Sequence, residues 1–473
     1  MTYSLLAPEM LLVALGIIVL ALGLILPGRG QKFTGPLAMA GTLGILGLVL
    51  WQFGYEAEFF QGIYRVDSYG NFFKVLFLSA ALLIFAMSGH YLKLFGDRQS
   101  EWYSIMLFAT LGMIIMASCG DLIILYVGLE LMTISFYILS AYLLDDGRSA
   151  EAGLKYLILG ALSSAVMLFG ISLIYASSGT TVFSLMYQAL QAQYATQPVL
   201  IAGIVMLIAG FAFKIALVPF HMWAPDIYQG APTPVTAYLA VGSKAAAFAA
   251  LLRVLVIALP MTHFNWTLLL AILAAVTIIA GNLIALAQSN VKRLLAYSSI
   301  AQAGYILVGL AASNAYGLKG VLFYAMLYVF SNVGAFAVTA LVETHSGRSD
   351  LEAFSGLAKR APMLAAIMTI CMLSLAGIPP MAGFAGKFYL FSGAIQSGYL
   401  WLAFIGLIMS MVSVYYYLNV SRVMYIGNSD DQCLPVPAIA RAALLLCLAG
   451  TLLIGVYPQP LSQFADIALK VLH

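Results

Sequence analysis

Residues 199–234 read VLIAGIVMLIAGFAFKIALVPFHMWAPDIYQGAPTP, and this stretch decides the fold. Its first part is a run of about twenty apolar residues, the length a helix needs to cross the hydrocarbon core of a bilayer. Lys214 stands inside that run, where lipid offers no partner for a charge. The second part holds Pro219, Pro225, Pro232 and Pro234, so no continuous helix survives it. Pro219 removes the hydrogen bond to the Ile215 carbonyl and frees backbone oxygen one residue from Lys214. An ammonium group and water are able to use such an oxygen.

Outward from this stretch the chain keeps the same character. Of 473 residues, 63% are hydrophobic and only 8% charged, with a mean hydropathy of +1.01, a composition made for lipid. Windows of about 20 residues give about fourteen candidate spans. They cover 8–27, 36–55, 70–92, 102–118, 121–143, 151–176, 199–219, 235–258, 266–288, 294–312, 318–342, 362–396 with a break, 398–424 and 438–458. The expected fold is therefore an all-α, polytopic integral membrane protein. Alternate loops and their flanks hold nearly all the basic residues, among them Arg29, Lys93, Arg148, Lys292, Arg293, Arg348 and Arg360. The positive-inside rule then places both termini on the outer side of a bacterial-type cytoplasmic (inner) membrane. No Lys or Arg precedes Glu9, so the first span lacks the basic start of a cleavable signal.

Other classes fall away. The net charge is +3 and the basic residues are dispersed, which gives no footprint for a nucleic-acid partner. Cys119, Cys371, Cys433 and Cys447 show no metal or cluster spacing and read as small packing residues. Gly386-Lys387 resembles a phosphate loop only superficially, because Met381 replaces the first required glycine and Phe388 the Ser or Thr. No cofactor is expected on this chain and no redox chemistry of its own.

The charges left inside apolar helices carry the functional argument: Glu130, Lys155, Lys214, Lys244 and Lys387, with Lys74 and Arg253 nearer span ends. Five such ionised groups cost about 12 to 17 kcal/mol together, even on a lenient insertion scale. One glutamate does not neutralise three deep lysines, so packing alone does not explain Lys214, Lys244 and Lys387. For Lys155 and Arg253, snorkelling or a structural pair is an equal alternative. A buried lysine holds its proton less firmly, and a carboxylate about 4 Å away favours the charged form by about 4 kcal/mol at an effective dielectric near 20. Moving that neighbouring charge switches the lysine between holding and releasing a proton. Glu130 and Lys214 are the expected pair, Lys244 the next acceptor and Lys387 the one after. His221 either carries a proton between Lys214 and Lys244 or bonds freed backbone.

A second break, Gly377-Ile378-Pro379-Pro380, lies just before Lys387. Interrupted helices at corresponding places in two halves mark the ion path of inverted-repeat transporters. The organisation expected is three spans in residues 1–100, two inverted five-helix repeats in 101–260 and 264–425, and a last span and tail in 437–473.

GLELMTISFYILSAY, EAGLKYLILGALSSA, FKIALVPFHMWAPDIYQGAPTPV, NVKRLLAYSSIAQAGY and LAGIPPMAGFAGKFYLF resemble the antiporter-like membrane subunits shared by complex I, the respiratory NADH:quinone oxidoreductase, and the Mrp sodium/proton antiporters. The resemblance runs from about residue 60 to residue 425. It implies one proton channel, with Glu130 and Lys214 as the paired carboxylate and lysine, Lys155 near the cytoplasmic side, Lys244 as central relay and Lys387 toward the outlet. A lysine at 387 and the short tail after the last span favour the subunit N branch. Gln302 stands where several relatives carry histidine, so the link from Lys244 to Lys387 would need water. The resemblance also implies partners: antiporter-like subunits M and L, a small subunit K, and the lipid bilayer. Flavin, iron–sulfur clusters and quinone are expected in other subunits. The alternatives are an Mrp-type sodium/proton antiporter subunit, the equivalent subunit of a related quinone-linked dehydrogenase or membrane hydrogenase, and a non-transporting spacer.

Overall fold

The computed structural model describes residues 2–26, 31–191, 198–259, 266–427 and 433–472. Arg29 and the last part of the 177–198 connection lie outside the described residues. Among the described residues, 13 helices are long and apolar enough to cross a membrane, and the chain is a polytopic helical membrane protein. The stretch 362–396 forms two shorter helices, Pro362–Ala376 and Ala382–Gln396, one on each side of its break. One small departure from an all-helical chain is an antiparallel hairpin of Ala57–Phe59 with Tyr64–Val66 between the second and third spans.

Gly147–Ser178 and Ala315–Ser346 are 32 residues each and outrun their apolar windows. Hydropathy reads only the apolar middle of a helix, whereas polar turns such as Arg148–Glu151 and Glu343–Ser346 continue the same backbone. Their ends are set by capping side chains. Asp146 accepts from the Arg148 amide and Asn314 from the Gly317 amide, and Gly179 and Gly347 close the far ends at φ 71° and 69°.

The halves share local architecture. Asp121, just before Leu122–Ser140, bridges to Val182, beyond the first 32-residue helix. Asn290, just before Val291–Ala312, bridges to Asp350, beyond the second. Each half then has a helix interrupted near a left-handed residue, Ala216 at φ 62° and Gly377 at φ 87°, and each interruption contains a cis X–Pro bond.

Burial sorts the bundle into centre and rim. The apolar window of Val291–Ala312 is 100% buried, that of Ala315–Ser346 94% and that of Thr233–Ala258 89%, against 28% for Ala438–Val456. Helices apolar on every side belong in the interior. Rim helices such as Gly147–Ser178 and Leu400–Ile426 turn large apolar side chains outward, as lipid or neighbouring helices require. The polar residues in the middle turns of the three central helices are therefore sealed from both, whereas Arg293 and Glu343 at the helix ends stay partly exposed.

Candidate proton-relay site

Six cations are buried among the described residues: Lys74, Lys214, Lys244, Arg253, Lys292 and Lys387. Three are paired with carboxylates. The Lys74 amine lies 2.6 Å from Glu9. Arg253 grips Asp67 with two bonds of 2.8 and 2.9 Å and stacks 4.8 Å from the Tyr69 ring. Lys292 meets Glu343 at 3.1 Å. Asp67 also caps Ser68–Ser88 through the Gly70 amide. Burial works to raise its carboxyl, but the Arg253 guanidinium beside it prevails and holds it below the ordinary carboxylate value.

Among the described residues, the other three, Lys214, Lys244 and Lys387, have no carboxylate oxygen within 4.0 Å. Hydroxyls and carbonyls hold them instead. Lys214 ends the helix Pro198–Ile215 and donates to the Thr133 hydroxyl at 2.9 Å. Glu130, one turn before Thr133, is close enough for its charge to act on Lys214, yet the two are not in contact. The expected 4 Å ion pair is thus replaced by a carboxylate at a distance, and one Glu130 oxygen is buried without a hydrogen-bond partner. At this break the Phe213 carbonyl accepts both the Ala216 amide at 2.9 Å and the Trp223 indole N–H at 2.8 Å, and the Ala212 carbonyl accepts the Leu217 amide at 2.8 Å.

Lys244 follows a short π-helical turn, Leu239–Ser243, and donates to the carbonyl and hydroxyl oxygens of Ser299 at 2.9 and 2.7 Å. Single π turns inside α-helices are frequent at functional positions. Lys387 reaches back across the second break to the Leu375 and Ala376 carbonyls, at 3.1 and 2.9 Å, and to the Ser410 hydroxyl at 2.7 Å. Those carbonyls end Pro362–Ala376, where the partial negative charge of a helix C-terminus favours a cation. The Tyr305 ring lies 4.5 Å from the amine. A side pocket of about 410 Å³, lined in part by Phe384, Phe388 and Met411, opens beside Lys387.

Gln302 changes the expected weak link. Its amide donates to the Leu375 carbonyl at 2.9 Å and to the Tyr417 hydroxyl at 3.2 Å, and its oxygen accepts from Tyr324 at 2.5 Å. Lys387 uses the same Leu375 carbonyl, so one backbone oxygen joins Gln302 to Lys387 directly. On the other side, a cavity of about 10 Å³ touches Lys244, Ser299, Gln302 and Tyr328, room for about one water.

Between Lys214 and Lys244 runs a row of tyrosines. The Tyr137 ring is 6.0 Å from the Lys214 amine and packs edge-on against Tyr156 at 4.9 Å. The Tyr156 hydroxyl lies beside Ser243, and the Tyr228 ring is 5.8 Å from the Lys244 amine. The hydroxyls of Tyr137, Tyr156, Tyr228 and Tyr328 are buried without a hydrogen-bond partner. Buried polar groups of this kind are ordinarily satisfied by ordered water.

Three expectations need correction. His221 is buried but, among the described residues, hydrogen-bonds to neither lysine, and its Nδ1 has no partner. Lys155 is not enclosed, because its position on Gly147–Ser178 faces the rim, and its 42% exposed side chain pairs with Glu151 at 2.7 Å and Asp226 at 2.9 Å. Lys292, read as a loop charge, is buried, since Val291–Ala312 is central from its first turn. Cys433 also differs from the other cysteines in being exposed. Glu9, Asp67, Ser299 and the tyrosines were missed. Asp67 carries a sequence signal as the polar residue before an apolar run, but its partner stands 186 residues away.

The family described as NADH:quinone oxidoreductase/Mrp antiporter, transmembrane, matches residues 119–413. The chain is 49% identical to "NADH-quinone oxidoreductase subunit N" of Heliobacterium modesticaldum, with 100% of both chains covered. It is 50% identical to the protein of that description from Moorella thermoacetica, covering 98% of this chain and 97% of the relative. Among solved structures, a chain of respiratory complex I from Thermus thermophilus with bound aureothin superposes with a TM-score of 0.83. That chain is 35% identical, with 96% of this chain and 98% of that one covered.

Proposed function

Because this chain belongs to the NADH:quinone oxidoreductase/Mrp antiporter family, we propose that it carries protons, not electrons, as an N-type membrane subunit of a respiratory NADH:quinone oxidoreductase. Quinone reduction in other subunits perturbs the charge on Glu130; Lys214 then releases or takes up a proton, and Lys244 and Lys387 relay it outward. The observation that carries this reading is the sorting of buried cations. Among the described residues, Lys74, Arg253 and Lys292 have carboxylate partners, whereas Lys214, Lys244 and Lys387 are held only by hydroxyls and carbonyls. Such partners orient an amine whether or not it is charged, because a lysine keeps N–H donors after losing one proton. The tyrosine hydroxyls and Gln302 supply stations between them.

The two halves, 101–260 and 264–425, act as inverted repeats that meet at Lys244, with residues 1–100 and 437–473 packed around them. Both termini face the outside of the cell membrane. Lys155, at the basic flank, feeds the first half, and His221 supports the first break without joining the relay. Partner subunits of types M, L and K flank the chain and hold or adjoin the flavin, iron–sulfur and quinone chemistry.

Replacement of Lys214 or Glu130 by alanine in the intact complex tests this function, with proton pumping and quinone reduction measured in membranes. Proton pumping is expected to fall further than quinone reduction; unchanged values for both would remove the pair from the mechanism. Sodium-dependent exchange by the chain in vesicles without other subunits would support an antiporter instead.

A further inference from the structure

A polar vestibule of about 280 Å³ opens among the basic-flank loops and is lined by Asp146, Arg148, Asn290, Lys292, Glu343 and Asp350, among others. Its inner wall is the Lys292–Glu343 pair. The Lys292 amine is 2% exposed and also donates to the Ala231 carbonyl at 2.8 Å; the second Glu343 oxygen accepts from the Thr233 hydroxyl. Ala231 and Thr233 lie at the start of the helical stretch that carries Lys244.

Two central helices connect this wall to the small cavity at Lys244. On Val291–Ala312, Lys292 faces the vestibule and Ser299 faces the inner cavity. Seven residues are two turns on the same face, about 10 Å along the axis. On Ala315–Ser346, Glu343 faces the vestibule and Tyr328 the inner cavity, with Asn332 and Thr339 between them at helical spacing. Both polar atoms of the Asn332 side chain are buried without a partner, although its exposure is 0%. A doubly orphaned amide is costly unless water serves it, and it stands one turn from Tyr328.

Resting on the relay proposed above, we propose that the vestibule is a second proton-uptake site, which reaches Lys244 through Glu343 and Lys292 and bypasses Glu130 and Lys214. A proton from vestibule water binds the Glu343 carboxylate and loosens its hold on the Lys292 ammonium. Lys292 passes one of its protons inward, through water at Asn332 and Ser299, to the neutral Lys244 amine. Glu343 then returns its proton to the neutral Lys292. The pair ends as it began, and one proton has moved from the vestibule to Lys244.

The test compares variants of the intact complex in sealed vesicles, with proton movement and quinone reduction read per assembled complex. Because the Glu130–Lys214 route still delivers protons to Lys244, Glu343→Gln is expected to slow coupled proton movement by about twofold, the share of one of two parallel uptake groups, and Glu343→Asp to restore most of it. Asn332→Leu keeps the volume and removes the orphaned amide, so it is expected to leave assembly intact and still slow proton movement. If Lys214→Ala blocks pumping while assembled Glu343→Gln or Asn332→Leu pumps at the parental rate, the second uptake site is overturned and the relay stands. If Lys214→Ala also pumps normally, the relay itself is wrong.

Discussion

The two broken helices hold their lysines in opposite ways. At the first, Lys214 precedes the break, rests on one hydroxyl, and feels a carboxylate that does not touch it. At the second, Lys387 follows the break and is clasped by two helix-terminal carbonyls and a hydroxyl. A charge that depends on a distant partner answers to any movement of that partner, because Coulomb energy in a low-dielectric interior is large and varies with distance. A charge held by fixed backbone does not. On the relay proposed above, the first break is therefore the one a moving charge would switch, and the second would receive at constant strength beside its open pocket.

The largest expected effect sets the scale for purely structural loss against which both breaks are judged. Asp67→Asn leaves Arg253 buried without its partner, at a cost of about 3–5 kcal/mol. Thermal stability and yield of the purified complex should fall, while protons moved per quinone reduced by the surviving complex stay unchanged. The same pair fixes a pH dependence. Asp67 is held below its unfolded value, so its contribution is complete above a pH of about 4 and is lost as pH falls through the folded value. Stability should therefore show no loss from this pair between about pH 8 and pH 5.

Next in size is Thr133→Val, which takes from Lys214 its one direct hydrogen-bond partner among the described residues. Loss of a bond to a charged group costs about 1.5–3 kcal/mol, and coupled turnover should slow by about tenfold or more. Ser410→Ala removes one of three partners of Lys387, so a slowing of about threefold is expected. Equal effects at the two sites would break the contrast between them. The smallest change is expected from Trp223→Phe, which removes one of two donors to the Phe213 carbonyl and costs about 1 kcal/mol of stability or less. Measured by thermal unfolding, that loss should come with little change in proton movement.

Much of this was legible in the sequence, because lipid imposes simple rules. Apolar length fixed the spans and proline fixed both breaks. Lys214, Lys244 and Lys387 stood out because apolar surroundings leave so few places for a charge. What the sequence hid were contacts between helices. Nothing local links Arg253 to Asp67 or Lys74 to Glu9, so structural cations and lone lysines looked alike. Lys292 was hidden for the opposite reason: next to Arg293 and a polar loop it reads as a surface charge, and only the central placement of its helix buries it. Gln302 looked like a gap because a glutamine does not carry a proton as histidine does, yet its amide reaches the carbonyl that Lys387 also uses.

Lys244 is where both halves and both proposed uptake routes converge, so Lys244→Met in the reconstituted complex tests the central claim most directly. The quantity to measure is protons moved across the vesicle membrane for each quinone reduced. A marked fall in that ratio, with normal assembly, is the predicted result; a ratio equal to that of the parent complex would contradict the account.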